Sequence, residues 1–370
     1  MFAACGGLVA LLFLARQRTI ERGPVTHVPP PPMQQEFAHR RGIRRPPRDP
    51  QPPPLEQPRQ PRLRLEPAWT HFLKADEIRT APLVLDDAVV VNAGAVTVID
   101  ADGAGAWTDQ EFGAGRASTP VEAGELIVCG TSAGLRALRR DGTVAWERRG
   151  LAHPAAHGGR IYAASQDRKL VALDAVTGEP AWETPLDAEA QALEADDSVV
   201  ACAAANALVL LEPSGKIRRR IALDAVNSAP VLQGGRVWVA AGTIRAFDAS
   251  TGQPLVEGAA VKRPTHPLAL EDRVVFPTGE AVACEAWTAP VAAVDLAAHD
   301  RWIVAALRDR LALLDPADGK TAAEAALPGC RPSRIAWNPR FGRLIVVDAE
   351  RVAVAAYDLK PLLDAAAAPK

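Results

Sequence analysis

Residues 169–186 read KLVALDAVTGEPAWETPL. An apolar run, Leu170 to Leu173, enters the turn Asp174 to Gly178, and a second strand carries Trp182 four residues after that glycine. Five other segments align with this one: VTVIDADGAGAW (96–107), LRALRRDGTVAW (135–146), LVLLEPSGKIRRR (208–220), IRAFDASTGQPLV (244–256) and LALLDPADGKTA (311–322). Their turn glycines are Gly103, Gly142, Gly215, Gly252 and Gly319, each read as supplying the positive φ that a β-carbon resists. Four residues after each glycine, Gly178 included, stand Trp107, Trp146, Trp182, Arg219, Val256 and Ala323 in chain order; Trp69 and Trp287 extend the series. Successive spacings from Trp69 are 38, 39, 36, 37, 37, 31 and 36.

A second anchor keeps the same period. A proline opens an earlier strand at Pro82, Pro120, Pro154, Pro230 and Pro267, and an apolar strand lies between proline and turn, as in LIVC (126–129) or RVWVAA (236–241). Counting these apolar strands gives eight copies. Roughly 38 residues hold four strands of about five residues with their turns, one antiparallel sheet whose faces stay wet unless neighbours stack on them. Radial closure covers every face and leaves only short edges. The expectation is an all-β, eight-bladed propeller over residues 66–358, with the tryptophans sealing the seams rather than stacking a ligand. The last copy lacks an outer strand, whereas PAWTHFL (67–73) has one with no inner strands before it, so the N-terminal strand is expected to pair in the last blade. In the sixth copy AVACEAW (281–287) has no TG turn, which leaves the length of its outer hairpin open.

Outside the repeats the composition changes. Residues 1–15 carry no charge and are mostly apolar, shorter than the roughly 20 residues of a spanning helix, and read as a signal or membrane-anchor segment. Residues 16–65 hold 13 of the 32 prolines and 11 Arg against 4 acidic residues, the composition of an extended linker. Within it RRGIRRPPR, Arg40 to Arg48, is a candidate contact for anionic lipid. Residues 359–370 read as a tail. The whole chain has 42 Lys+Arg and 44 Asp+Glu, a balance that argues against a nucleic-acid partner. Arg16, Arg18 and Arg22 follow the apolar segment with none before it, which on the positive-inside rule favours the cytoplasm; the export-like start favours the opposite side.

The pattern AxDxxTGxxxW, Ala172 through Asp174 and Gly178 to Trp182, resembles the tryptophan-docking repeat of quinoprotein-type (PQQ-like) β-propellers. That resemblance implies two classes of function. Some members are dehydrogenases holding pyrroloquinoline quinone and calcium beneath a disulfide of adjacent cysteines. Others are cofactor-free cell-envelope scaffolds, among them a lipoprotein of the outer-membrane β-barrel assembly machinery. The five cysteines here, at 5, 129, 202, 284 and 330, are nowhere adjacent; those at 129, 202 and 284 read as buried, and Cys330 in PGCRP as exposed. No GxSxG, HExxH, P-loop or EF-hand pattern occurs, and the acids of DADG, DAVTG and DASTG recur with the period, as turn residues do. The expectation is a non-enzymatic, cofactor-free, monomeric propeller tethered to a membrane, extracytoplasmic, binding protein or peptide. The alternatives are a quinone-dependent dehydrogenase and a ligand-sensing propeller of a signalling system. His153 and His266 each precede a strand-opening proline, where Thr119 and Ala81 stand in other copies, and Thr119, His153 and His266 are candidate binding residues at the channel mouth.

Overall fold

Middle strands such as Ala88–Asn92, Leu126–Gly130 and Val200–Ala204 are buried along their whole length, whereas outer strands such as Pro180–Pro185 alternate exposed and half-buried. A strand apolar on both sides needs a sheet on each of its faces, and the fold supplies them. A computed structural model of the chain describes residues 63–368 except 76, 77, 79, 110–117, 131, 132, 227 and 263–265. The N-terminal segment, the Arg40–Arg48 run and the linker up to residue 62 lie outside the described residues.

Eight sheets follow in chain order. Blades 1 to 3 run from Leu83–Val84 to Gly105–Asp109, from Val121–Ala123 to Val144–Arg149, and from Leu151–His157 to Pro180–Pro185. Blades 4 to 6 run from Ala190–Ala195 to Ile217–Ala222, from Val231–Gln233 to Pro254–Ala260, and from Leu268–Ala269 to Thr288–Ala289. Blade 7 runs from Asp295–His299 to Thr321–Ala326, and blade 8 comprises Pro332–Asn338, Arg343–Asp348 and Ala353–Tyr357. First strands of successive blades from 2 to 8 touch one another, that of blade 8 meets that of blade 1, and Asn92 of blade 1 donates Nδ2 to the Gly130 carbonyl of blade 2 at 2.8 Å, so the ring is closed around a channel. Blade 6 has all four strands, but three of them are only two residues long.

The outer strand of blade 8 is Pro67–Phe72, antiparallel to Ala353–Tyr357, with Trp69 opposite Ala356. Both chain ends therefore share one sheet, as the complementary gaps in the sequence require. Buried Asn338 of blade 8 donates its Nδ2 to the Leu85 carbonyl of blade 1 at 3.1 Å.

Five of the eight tryptophans dock on the turn of the next blade. Trp69, Trp107, Trp146, Trp182 and Trp287 donate Nε1 to the carbonyls of Ala101, Arg140, Ala175, Pro213 and Pro316 at 2.8–3.0 Å. The ring lies against the turn glycine so closely that a β-carbon on Gly178, at φ +69°, would sit 2.6 Å from Trp146. The glycine is thus fixed twice, by its backbone and by the ring over it. Between blades 4 and 5, where the docking position is Arg219, two arginines divide the tryptophan's work: the Arg219 stem lies on Gly252, and Arg218 donates Nη1 to the Ala249 carbonyl at 3.3 Å. Two residues beyond the docking position a second donor reaches the turn glycine's carbonyl, Arg148 to Gly178 at 2.6 Å and Thr184 to Gly215 at 2.6 Å.

The seam between blades 7 and 8 is built differently. Blade 8 has no turn there, because its third strand, Ala353–Tyr357, comes last in the ring and its fourth, Pro67–Phe72, comes first. Leu63–Arg64 instead adds a fifth, parallel strand to blade 7, pairing with Ala325 and Ala326, so the folded body includes residues ahead of 66. The C-terminal residues also form structure: Lys360–Ala367 is a helix whose Leu362 is fully buried with Leu65, Leu327 and Leu359. Cys330 belongs to the same cluster and is 4% exposed, which corrects the expectation of an exposed thiol. Its loop is covered by the chain-end residues Tyr357, Leu359 and Leu362.

Candidate functional site

Inner strands of a propeller have one edge on their own blade and one face on the channel, so their side chains either fill the wall or face its water. A cavity of about 790 Å³ lies along the inner strands and strand-opening segments of blades 1 to 5 and reaches blade 6. Thr119, His153 and His266 all line it, as does Ala81. The pre-proline positions of different blades are thus brought to one wall. His157 instead holds Asp197 at 2.8 Å.

His153 has φ +51°, in the left-handed region, at a bulge between Ala152 and Ala155. That conformation is costly for a residue with a β-carbon, and a bulge turns the side chain away from the regular strand direction. His266 accepts from Arg334 Nη2 through Nε2 at 2.6 Å. The channel wall around it, and secondarily the Arg334 charge, hold its imidazole down to about 4. At neutral pH His266 is therefore uncharged, with Nδ1–H as its donor. Arg334 also donates Nη1 to the Ser333 carbonyl at 2.8 Å. Its neighbour Ile335 donates its backbone N–H to Asp295 Oδ2 at 2.8 Å, tying blades 7 and 8 together. Burial pushes Asp295 up to about 6.

The residues that the proline and histidine anchors do not mark lie in blade 4. Gln191 and Glu194 line the cavity from its inner strand Ala190–Ala195. The surrounding wall, and after it the charge of Asp196, push the Glu194 carboxyl up to about 7, with His157 pulling the other way. The fourth copy has no opening proline, so only register could have placed these side chains on the channel. Apart from Glu122, the remaining lining is small or apolar: Pro120, Pro154, Ala155, Ala156, Leu193 and Val226 among others.

Calcium-held quinone would need six to eight oxygen ligands around the metal. The cavity offers the carboxylates of Glu122 and Glu194, and Glu122 is engaged by Arg140 at 2.5 Å. No group of three or more His, Cys, Asp or Glu gathers in metal-binding geometry among the described residues. Cys129, Cys202 and Cys284 lie singly in blades 2, 4 and 6, and Cys330 in the loop between blades 7 and 8. This donor set does not fit the group. Elsewhere the period-locked acids are spent on turns: Asp174 accepts from the N–H of Val176 and Thr177, and Asp248 from those of Ser250 and Thr251.

The docked aromatics, the closing strand and the eight sheets define an eight-bladed propeller of PQQ-like repeats. The PQQ_2 family model, described as outer membrane protein assembly factor BamB, matches residues 66–154, 148–212 and 192–359, and the chain belongs to that family. Among solved structures it is similar to the computationally designed Ika8 protein, at 16% identity and TM-score 0.65, over 78% of this chain and 98% of that one. BamB from Moraxella catarrhalis aligns at 15% identity and TM-score 0.63, over 80% of this chain and 99% of that one. Likeness at these identities speaks for the fold. No curated protein matches the chain in sequence.

Proposed function

We propose that this chain is a non-catalytic propeller that binds protein or peptide, held at a membrane by residues 1–15 and working on the extracytoplasmic side. The observation that carries the reading is the channel cavity. It is a large concave surface of mostly small and apolar side chains with polar groups spread along it, and no group of three or more His, Cys, Asp or Glu gathers in metal-binding geometry among the described residues. Membership of a family described by an outer-membrane assembly factor, and an apolar start followed by an Arg- and Pro-rich spacer, support the envelope setting. Arg40 to Arg48 would add contact with anionic lipid.

Photo-crosslinking in the native host tests this reading. With p-benzoylphenylalanine replacing Thr119 on the cavity wall, a discrete adduct to an extracytoplasmic or outer-membrane protein is expected in the membrane fraction. Adducts to cytoplasmic proteins would reverse the assigned side, and the absence of any adduct from a folded, membrane-bound variant would overturn binding through the channel.

A further inference from the structure

We propose that the channel cavity holds a basic side chain, lysine or arginine, of an extended partner segment, with Glu194 as its anchor. This deepens the peptide-binding reading and rests on it. Three observations converge on a cation. Glu194 lines the cavity and has no hydrogen bond or ion pair to the described residues, whereas Glu122, the other carboxylate on the wall, is already held by Arg140. Around Glu194 the lining is Ala192, Leu193 and Ala195, with Ala155 and Ala156 also on the cavity wall, which suits the methylene stem of a long basic side chain. Finally, residues 66–370 carry a net charge of −9, since residues 16–65 hold +7 of a total of −2; that field steers cations toward the body.

Other groups on and beside the cavity wall fix the orientation. His266 is neutral and Arg334 beside it is cationic, so a second positive charge is repelled there while a peptide carbonyl can accept from the histidine. Thr119 and Gln191 supply further hydrogen-bonding groups for a backbone. The cavity is large enough for several residues of extended chain, and a carboxylate in a partly dehydrated wall attracts a cation more strongly than one in bulk water.

The groups facing Glu194 are Asp196 beyond its own strand and His157 on the neighbouring inner strand. A free carboxyl titrating near neutrality must ionise to take a cation, so affinity should rise as pH rises through about 7.

The test uses the full chain and a fluorescein-labelled hexapeptide, Thr-Val-Lys-Val-Thr-Val, beside its twin with norleucine in place of lysine. Anisotropy titrations should show the lysine peptide binding at least tenfold more tightly than the norleucine peptide at pH 8. Glu194→Gln should erase that ratio and the gain between pH 6 and pH 8, while Glu183→Gln, on the outer strand of blade 3, leaves both. Equal binding of the two peptides, or a ratio that survives Glu194→Gln in a variant with the parent melting temperature, would overturn the proposal. A Thr119 crosslink that persists in Glu194→Gln alongside such a result would sink the anchor while leaving peptide binding intact. Absence of the crosslink and of binding to both peptides in the chain with Glu194 intact would sink the two together.

Discussion

At the scale of single residues, stability rests on pairs in which each member explains the other. Trp146 is 6% exposed, with its indole N–H on the Ala175 carbonyl at 3.0 Å and its ring against Gly178. Trp146→Ala removes a large buried ring and leaves a cavity, a loss of about 3–5 kcal/mol. Gly178→Ala adds one carbon to a residue at φ +69° and pushes it into the same ring. The two effects act on one contact, so the double variant should be less destabilised than the sum of the singles. A double-mutant cycle from urea melts checks this, and strict additivity would show that the ring and the turn act independently. These pairs were legible in the sequence because local chemistry demands them. A turn at positive φ under an aromatic ring admits glycine, and a seam donor reaching the next turn's carbonyl favours tryptophan. The Arg218 and Arg219 substitute was not legible, since one arginine packs and the other donates, and nothing in their order says which.

At the scale of elements, the closing seam is the exception to the repeat. Ala323 stands where other copies carry a docking residue, and in the sequence it looks like a decayed one. In the structure Ala322 and Ala323 pack in the cluster of Leu63, Leu65, Leu362 and Leu363, so the chain ends supply what the tryptophan supplies elsewhere. Neither element was visible in the sequence: the strand Leu63–Arg64 pairs with Ala325 and Ala326, far along the chain, and sits in a stretch whose composition is that of a linker, and the helix is buried partly against Leu65 of that same stretch. The same blindness made Cys330 look exposed. The short sixth blade, in contrast, was announced by its spacing of 31. Removing residues 66–75 takes a whole strand from blade 8 and should prevent closure. Removing residues 359–370 should cost less, yet Leu362→Ala alone should cost about 2–5 kcal/mol as a buried leucine in that cluster. Urea midpoints rank the three variants. Equal losses for the two deletions would contradict closure by the N-terminal strand, and an unchanged midpoint for Leu362→Ala would show the helix to be idle.

For the whole molecule, closure makes the turns a shared liability in acid. Asp141, Asp174 and Asp248 have their carboxyls held below the ordinary range by hydrogen bonds from their own turns, Thr143, Thr177 with Val176, and Ser250 with Thr251. Asp318 is held down by the side chain and backbone of Lys320. Asp248 is lowered to about 2. A carboxylate depressed in the folded state contributes stability that is complete above its unfolded value, near 3.9, and is lost as pH falls through the folded value. These four sit in blades 2, 3, 5 and 7, so the loss is spread around a ring whose blades depend on one another. Glu194 and Asp295 act in the opposite sense: raised to about 7 and about 6, they favour the folded state as they protonate, and most of that change is over before pH 4. His266 charges near pH 4 and does so with or without the turn acids. The melting temperature should therefore drop steeply between pH 4 and pH 2. Replacing all four aspartates by asparagine keeps an oxygen to accept the turn N–H groups but removes the titration. That variant should melt somewhat below the parent at pH 7 and lose much less between pH 4 and pH 2, so that the two curves converge. Parallel curves over that interval in calorimetry would place the acid sensitivity outside the turns.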